Sequence, residues 1–422
     1  MKTFFTIVSA LVFTSSMAGF DTLFFQQTLR IDYIRGGNHD SEYYFLDEVK
    51  TEPFWGGSHL NLIDTFYYGD NFFKVFDRQT GSLIYSRGYS TLFGEWQTTD
   101  EAKIISMAFS ETIVMPLPRR DARVVFFSRN RNGYFEEKFE YLFKSGDPYI
   151  SPEQRHSHLA FDVHISGAPK KCVDIVIIPD GYTAEEMDKF TEDCQNFASV
   201  LFSFEPYTEH KDKFNIRGVF APSNESGSDI PPDSVWVSTI LSSSFYTFGS
   251  ERYCMSNDQK AVRDVAANAP YDQIYILVNS EKYGGGAIFN YYCLSVNSSV
   301  NAAKIFIHEF GHGFAGLGDE YYNSEVAYND FYPANVEPWE PNLTTLVDFG
   351  SKWIDLLEHV TPVPTPETEL FNDKPGVFEG GGYAAKGVYR PAYDCLMNSF
   401  DGNTFCEVCK IAIEKMILFY SE

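Results

Sequence analysis

Two histidines and a glutamate stand within five residues, His308-Glu309-Phe310-Gly311-His312. On a helix, residues four apart project from one side, one turn apart. Two imidazole nitrogens so placed can bind one Zn²⁺. Glu309 sits about 100° round the helix, where it can reach an activated water as general base without being a ligand. Three fixed positions recur by chance, so the context decides. Apolar residues at 303, 306, 307, 310, 314 and 317 give one buried helical face. Gly316 can end that helix with positive φ. The chain can then fold back and bring Asp319 to the metal, and two His plus one carboxylate leave a fourth position for water. The bland alternative, a helix with two satisfied histidines and an acidic turn, explains none of this spacing.

Three other carboxylates compete to be the third ligand. Glu320 is adjacent, Glu358 lies in a stretch of helical composition over 351–359, and Glu337 is directly followed by Pro338, which restricts its backbone. Asp319 is favoured because the Gly316 break lies three residues before it. Glu320 is then expected to point to the opposite side and to support the turn or a neighbouring His.

The elements that must position these groups fall into two units. From about 20 to 145, short alternating runs such as Thr28–Ile34, Phe72–Phe76, Ile104–Phe109, Arg123–Phe127 and Phe135–Tyr141 read as strands. Gly36-Gly37-Asn38, Thr80-Gly81 and Asn130 to Gly133 separate them as turns. This predicts an all-β sandwich over 19–150. After Gly146-Asp147-Pro148 the character changes. Val173–Ile178 is a near-continuous apolar strand of the kind buried in α/β sheets. A capping box at Thr183–Glu186 opens a helix to about Phe202. Further strands are expected over 214–220 and 271–278, with a helix from Asn257 or Asp258 to Ala267. Residues 151–422 therefore read as an α/β catalytic domain with a mixed sheet carrying the His308–His312 helix.

The stretch from His308 through Gly316 to Asp319-Glu320-Tyr321 resembles the active-site motif of the immunoglobulin-A-peptidase family of secreted bacterial zinc endopeptidases, which is metzincin-like. Asp394-Cys395-Leu396-Met397-Asn398-Ser399 resembles that family's Met-turn, and Phe405-Cys406-Glu407-Val408-Cys409 its following cysteine motif. A sandwich ahead of a catalytic domain also fits the family. In the broader metzincin pattern the glycine and third ligand follow the first His by seven and ten residues. Gly316 and Asp319 come one residue later, which fits the longer turn of this family.

The resemblance implies roles for other residues. Met397 would be an apolar floor under the metal. Some metzincins use a Tyr two residues past this Met. Here that position is Ser399, so Tyr321, Tyr322 and Tyr393 are the candidate oxyanion donors. Gly284, Gly285 and Gly286 are candidates for an edge strand that pairs with extended substrate, since glycines let another backbone approach closely. Cys395, Cys406 and Cys409 are close in sequence. A disulfide from Cys395 to Cys406 or Cys409 would staple the Met-turn to the last helix. A second metal site at these cysteines lacks a fourth ligand, because no His is near.

Composition bounds the rest. The 422 residues carry 33 Lys and Arg against 58 Asp and Glu, a net charge of −25, which repels nucleic acid and anionic membranes. Met1-Lys2, an apolar run over Phe4–Phe13 and small residues at Ser16 and Ala18 read as a signal peptide over 1–18. No later segment has 18 consecutive apolar residues, so no membrane span is expected. The protein is expected to be exported to the periplasm, the cell surface or the medium. The leading reading is a zinc endopeptidase with one catalytic Zn²⁺, acting on extracellular protein or peptide, host glycoproteins included. The alternatives are a zinc hydrolase of another amide, such as a glycoprotein or cell-wall crosslink, and a non-catalytic glycan- or protein-binding protein.

Overall fold

The computed structural model describes residues 19–152, 157–298, 301–322, 331–400 and 404–422. The expected signal peptide lies outside the described residues. After a short helix, α1 (Phe20–Leu23), the N-terminal unit is built from β1 (Phe24–Asn38), β2 (Ser41–Glu52), β3 (Asn71–Asp77), β4 (Leu83–Tyr89), a five-residue helix α2 (Leu92–Trp96), β5 (Met107–Pro118), β6 (Ala122–Arg129) and β7 (Phe135–Phe143). One antiparallel sheet orders β2-β1-β5 and the other β4-β3-β6-β7. Leu29, Ile31, Tyr33, Ile113 and Met115 of the first meet Phe73, Val75, Val124 and Phe126 of the second in one core. The period-two alternation of β1 has a second consequence. Its intervening residues, Arg30 and Asp32, project from the other face and are also buried.

The expected strand over 104–109 begins later. Ile104 and Ile105 follow a short turn, and Ile104 is 83% exposed, so this apolar pair gains nothing from a sheet. The strand instead starts at Met107 and runs to Pro118.

The second unit contains β8 (Leu159–Ile165), β9 (Val173–Asp180), α3 (Met187–Leu201), β10 (Phe214–Phe220), a small pair β11 (Ser243–Ser244) and β12 (Met255–Ser256), α4 (Gln259–Ala266), β13 (Gln273–Val278), β14 (Gly285–Ile288), β15 (Tyr292–Val296), α5 (Ala302–Ala315), a hairpin of β16 (Phe378–Gly381) and β17 (Ala384–Arg390), and α6 (Glu407–Ser421). Its six-stranded sheet orders β14-β15-β13-β9-β10-β8. The four inner strands run parallel and the two edge strands antiparallel, so the sheet is mixed. Every residue of β9 and β13 is buried, as central parallel strands covered on both faces require. The capping box ahead of α3 is formed, with Thr183 N–H donating to Glu186 Oε2 at 2.9 Å. The 351–359 stretch is not a helix. It forms two three-residue turns, Phe349–Ser351 and Ile354–Leu356, anchored by the Trp353 indole N–H on Gly376 O at 2.7 Å.

Helix α5 is held by aromatic packing. Phe306, Phe310 and Phe314 point into a core shared with Phe197 of α3, Tyr275 of β13 and Ile413 and Ile417 of α6. Burying each such ring stabilises the fold by about 1.5–3 kcal/mol, which fixes the helix under the sheet edge. The two units share a core as well. Phe93, Trp96 and Phe109 pack with Val176, Ile178 and Ile276. Arg30 and Lys50 reach Asp264 of α4 at 2.7 and 2.9 Å. Ser90 N–H donates to Phe289 O at 2.9 Å, and the Asn290 amide to Gly88 O at 2.8 Å.

Among the described residues, no helix is long and apolar enough to cross a membrane.

Candidate functional site

His308 and His312 lie on α5 as the spacing requires, with their Nε2 atoms 3.0 Å apart. Gly316 ends the helix at φ +65°, ψ +30°, a conformation that glycine adopts without steric cost. The chain then doubles back and sets Asp319 Oδ1 at 3.1 Å from His308 Nε2 and 3.3 Å from His312 Nε2. Each histidine is oriented from behind. His308 Nδ1 lies 3.0 Å from Leu396 O, and His312 Nδ1 lies 2.5 Å from Leu317 O. A carbonyl only accepts, so both Nδ1 atoms carry a proton, and each Nε2 faces the common point.

Asp319 Oδ1 is buried with no hydrogen-bond partner, and its Oδ2 accepts from the Tyr383 hydroxyl. Two nitrogen lone pairs and one carboxylate oxygen therefore converge where only a cation or protons can satisfy all three. Burial works against charging His312, yet Asp319 beside it lifts its pKa to about 9. Burial likewise pushes the Asp319 carboxyl up, and the two imidazoles more than offset this and hold it well below the usual range. His308, His312 and Asp319 form a set that could hold a metal ion.

The three groups lie in a cavity of about 510 Å³ that Glu309 also lines. Burial pushes the Glu309 carboxyl above its ordinary value. Both units contribute walls: Asp70, Ser90 and Glu95 come from the N-terminal one.

The other expected residues divide. Glu320 turns away from the histidines, with Oε1 accepting from Asn342 at 2.9 Å. Glu358 pairs with Lys374 at 2.9 Å, and Glu337 accepts from Thr345 and the Asp348 N–H, so neither reaches the site. Met397 is fully buried under α5, and a Cβ added at Gly311 would come within 3.1 Å of its sulfur. Tyr321 lines the cavity and accepts from Arg252 Nη2 at 3.2 Å. Tyr322 and Tyr393 do not line it. Tyr322 covers Gly380 and Tyr393 packs edge-on against Phe378.

Gly285 and Gly286 lie on the edge strand β14, Gly284 directly precedes it, and all three line the cavity. However, Gly285 N–H donates to Arg252 O at 3.1 Å, and its carbonyl accepts from Cys254 N–H at 3.3 Å. Its outer backbone groups are already used. A Cβ at Gly284 would strike Phe245 and Arg252 O, and one at Gly286 would strike Tyr253. At Gly284 and Gly285 the backbone that approaches is the chain's own 252–254 segment. The expected disulfide is also absent. All seven cysteines are free, and Cys395 Sγ lies 3.9 Å from Cys409 Sγ.

Three contributors carry no sequence motif. Tyr383 reaches Asp319 from the β16–β17 hairpin, where its φ of +65° sets the turn. Asn342 clamps the Asp319 loop by accepting from Gly318 N–H at 2.7 Å and donating to Gly318 O at 2.9 Å. Arg252 enters from the loop that covers β14. All three are set by tertiary contacts distant in sequence, and only the local Gly382-Tyr383 turn signal could have drawn attention to one of them.

Two family models match the chain. Residues 161–374 and 367–417 match IgA Peptidase M64, and residues 19–140 match Peptidase M64 N-terminus. No curated protein matches the sequence.

Proposed function

The chain belongs to the IgA Peptidase M64 family, and from that premise we propose that it is an exported zinc endopeptidase whose metal ligands are His308, His312 and Asp319. The observation that carries this reading is the convergence of three ligand atoms, one of them an unpartnered buried carboxylate oxygen, at the floor of a cleft that also holds Glu309. Zn²⁺ bound there would polarise the scissile carbonyl and acidify the attacking water.

The remaining chemistry belongs to the chain's own residues. Glu309 takes the proton from the attacking water and delivers it to the leaving amine. Leu396 O and Leu317 O fix the imidazole tautomers, and Tyr383 holds the second oxygen of Asp319. Arg252 and Tyr321, hydrogen-bonded to each other in the cleft, are the donors placed to meet negative charge on the carbonyl oxygen. Residues 151–422 would be the catalytic domain, and the sandwich of 19–150 would complete the cleft. The substrate is an extracellular protein or peptide presented in extended form, with host glycoproteins such as immunoglobulin A in the class.

Casein digestion tests this reading. Cleavage should stop on chelation, return with Zn²⁺ and be missing in His312→Ala. A fully zinc-loaded protein that cleaves neither casein nor an unbiased peptide library would overturn it in favour of a binding role.

A further inference from the structure

Behind the turn that presents Asp319, a second group of ligand atoms converges. Glu320 Oε1 lies 3.2 Å from Cys409 Sγ, and Cys409 Sγ lies 3.9 Å from Cys395 Sγ. With Cys406 Sγ, all four atoms fall within 4.8 Å of one another. Glu320, Cys395 and Cys409 are at most 1% exposed. We propose that Cys395, Cys406, Cys409 and Glu320 form a second, structural Zn²⁺ site, distinct from the cleft, that fastens the Asp319 turn to the Met397 turn and the last helix.

Four observations support it. The first is the spacing. Zn–S bonds of about 2.3 Å at tetrahedral angles hold two sulfurs about 3.8 Å apart, and Cys395 and Cys409 stand at 3.9 Å. A disulfide would need about 2.05 Å. The second is an orphan. Glu320 Oε2 is buried with no hydrogen-bond partner, a costly state for a carboxylate among thiols unless a cation joins it. The third is the donor set. Three thiols with one carboxylate select Zn²⁺ over hard cations such as Mg²⁺ or Ca²⁺, and four protein ligands leave no open position, as in closed structural sites. Each thiol would release its proton to solvent on binding. The fourth is placement. Cys406 is the N-cap of α6 and Cys409 lies in its first turn. Cys395 stands two residues before Met397, whose carbonyl accepts from Glu320 N–H at 2.8 Å. The missing fourth ligand of the sequence reading is therefore Glu320, which is 75 residues or more from the cysteines in sequence and adjacent to them in space.

Metal counting on the full chain, purified under reducing conditions and dialysed against Zn²⁺, tests the site. Wild type should hold two equivalents. His308→Ala/His312→Ala should keep one, and Cys406→Ser should lose one. Replacing Zn²⁺ by Co²⁺ gives a separate readout. No cysteine lines the cleft, so a thiolate-to-cobalt charge-transfer band in the near ultraviolet reports the cysteine cluster. That band should appear in wild type, persist in the histidine double variant and vanish in Cys406→Ser. If Cys406→Ser does not fold, the wild-type spectrum and the double-variant count still decide. One equivalent in wild type, no band, or a Cys395–Cys409 disulfide found by alkylation and mass measurement without reductant would each overturn the proposal.

Discussion

Two buried charged clusters behave differently. At the junction of the two units, Arg30 Nε and Nη2 hold Asp32 at 2.8 and 2.9 Å, Arg30 Nη1 and Lys50 share Asp264, and Thr112 adds a hydroxyl to Asp32. Cation and anion alternate, and Glu52 adds a further carboxylate 3.7 Å from Arg30 Nη1. In the cleft, His308, His312 and Asp319 aim electron pairs at one point. In the first cluster the carboxylates face guanidinium and ammonium groups of the chain itself, while in the second the three groups leave a common point for something added. That difference distinguishes a structural ion network from a site for chemistry, and burial alone would not have made it.

The sharpest way to break the comparison is Glu309→Gln. This change should leave metal content and thermal unfolding unaltered while casein turnover falls at least about 10³-fold. Near-wild-type turnover would remove Glu309 from the mechanism. Arg30→Ala should do the reverse. It strands Asp32 in a buried setting and leaves Asp264 with Lys50 alone, so denaturant titration should show a loss of about 3–5 kcal/mol, with the metal affinity of the cleft unchanged. A matching loss of metal would mean that the two clusters are coupled. Tyr383→Phe asks how far the cleft site extends. Losing the hydroxyl on Asp319 should weaken Zn²⁺ binding about 10–100-fold in competitive chelator titration, and an unchanged affinity would make Tyr383 a packing residue.

The smallest effect concerns pH. Burial pushes Asp264 up, but Arg30 and Lys50 more than offset this and hold its carboxyl below the ordinary value. A depressed folded-state pKa contributes stability above the unfolded value of about 3.9, and that contribution is lost as pH falls through the folded value. Melting temperature should therefore decline below about pH 4, and less steeply in Asp264→Asn. Equal slopes would show that other carboxylates govern acid unfolding.

What the sequence revealed follows from how local each signal is. The α5 pattern, the Gly316 break and the Asp319 position are set within a dozen residues, and they could be read. So could β9 and β13, whose unbroken apolar runs have few other uses. The signals that failed were those decided by distant contacts. Ile104 and Ile105 look like strand but face solvent. The glycines before Ile288 mark a close backbone approach, and at Gly284 and Gly285 the approaching segment is 252–254. Cys395, Cys406 and Cys409 suggest a bond to one another until Glu320 is seen beside them. Tyr383 and Asn342 have no motif, since their roles exist only once the hairpin and the 331–343 segment close over the Asp319 turn.

The shared packing between the units bears on how the molecule could be divided. A cut between them would uncover Val176, Ile178 and Ile276 where Phe93, Trp96 and Phe109 now cover them. It would leave Asp264 without Arg30 and Lys50. It would also free the β14–β15 turn from Gly88 and Ser90 and remove Asp70 and Glu95 from the cleft wall. A truncated C-terminal half would therefore carry a sticky apolar face and an incomplete cleft wall. Recombinant production, proteolytic trimming and domain-swap engineering of this protein all have to treat the two halves as one indivisible unit.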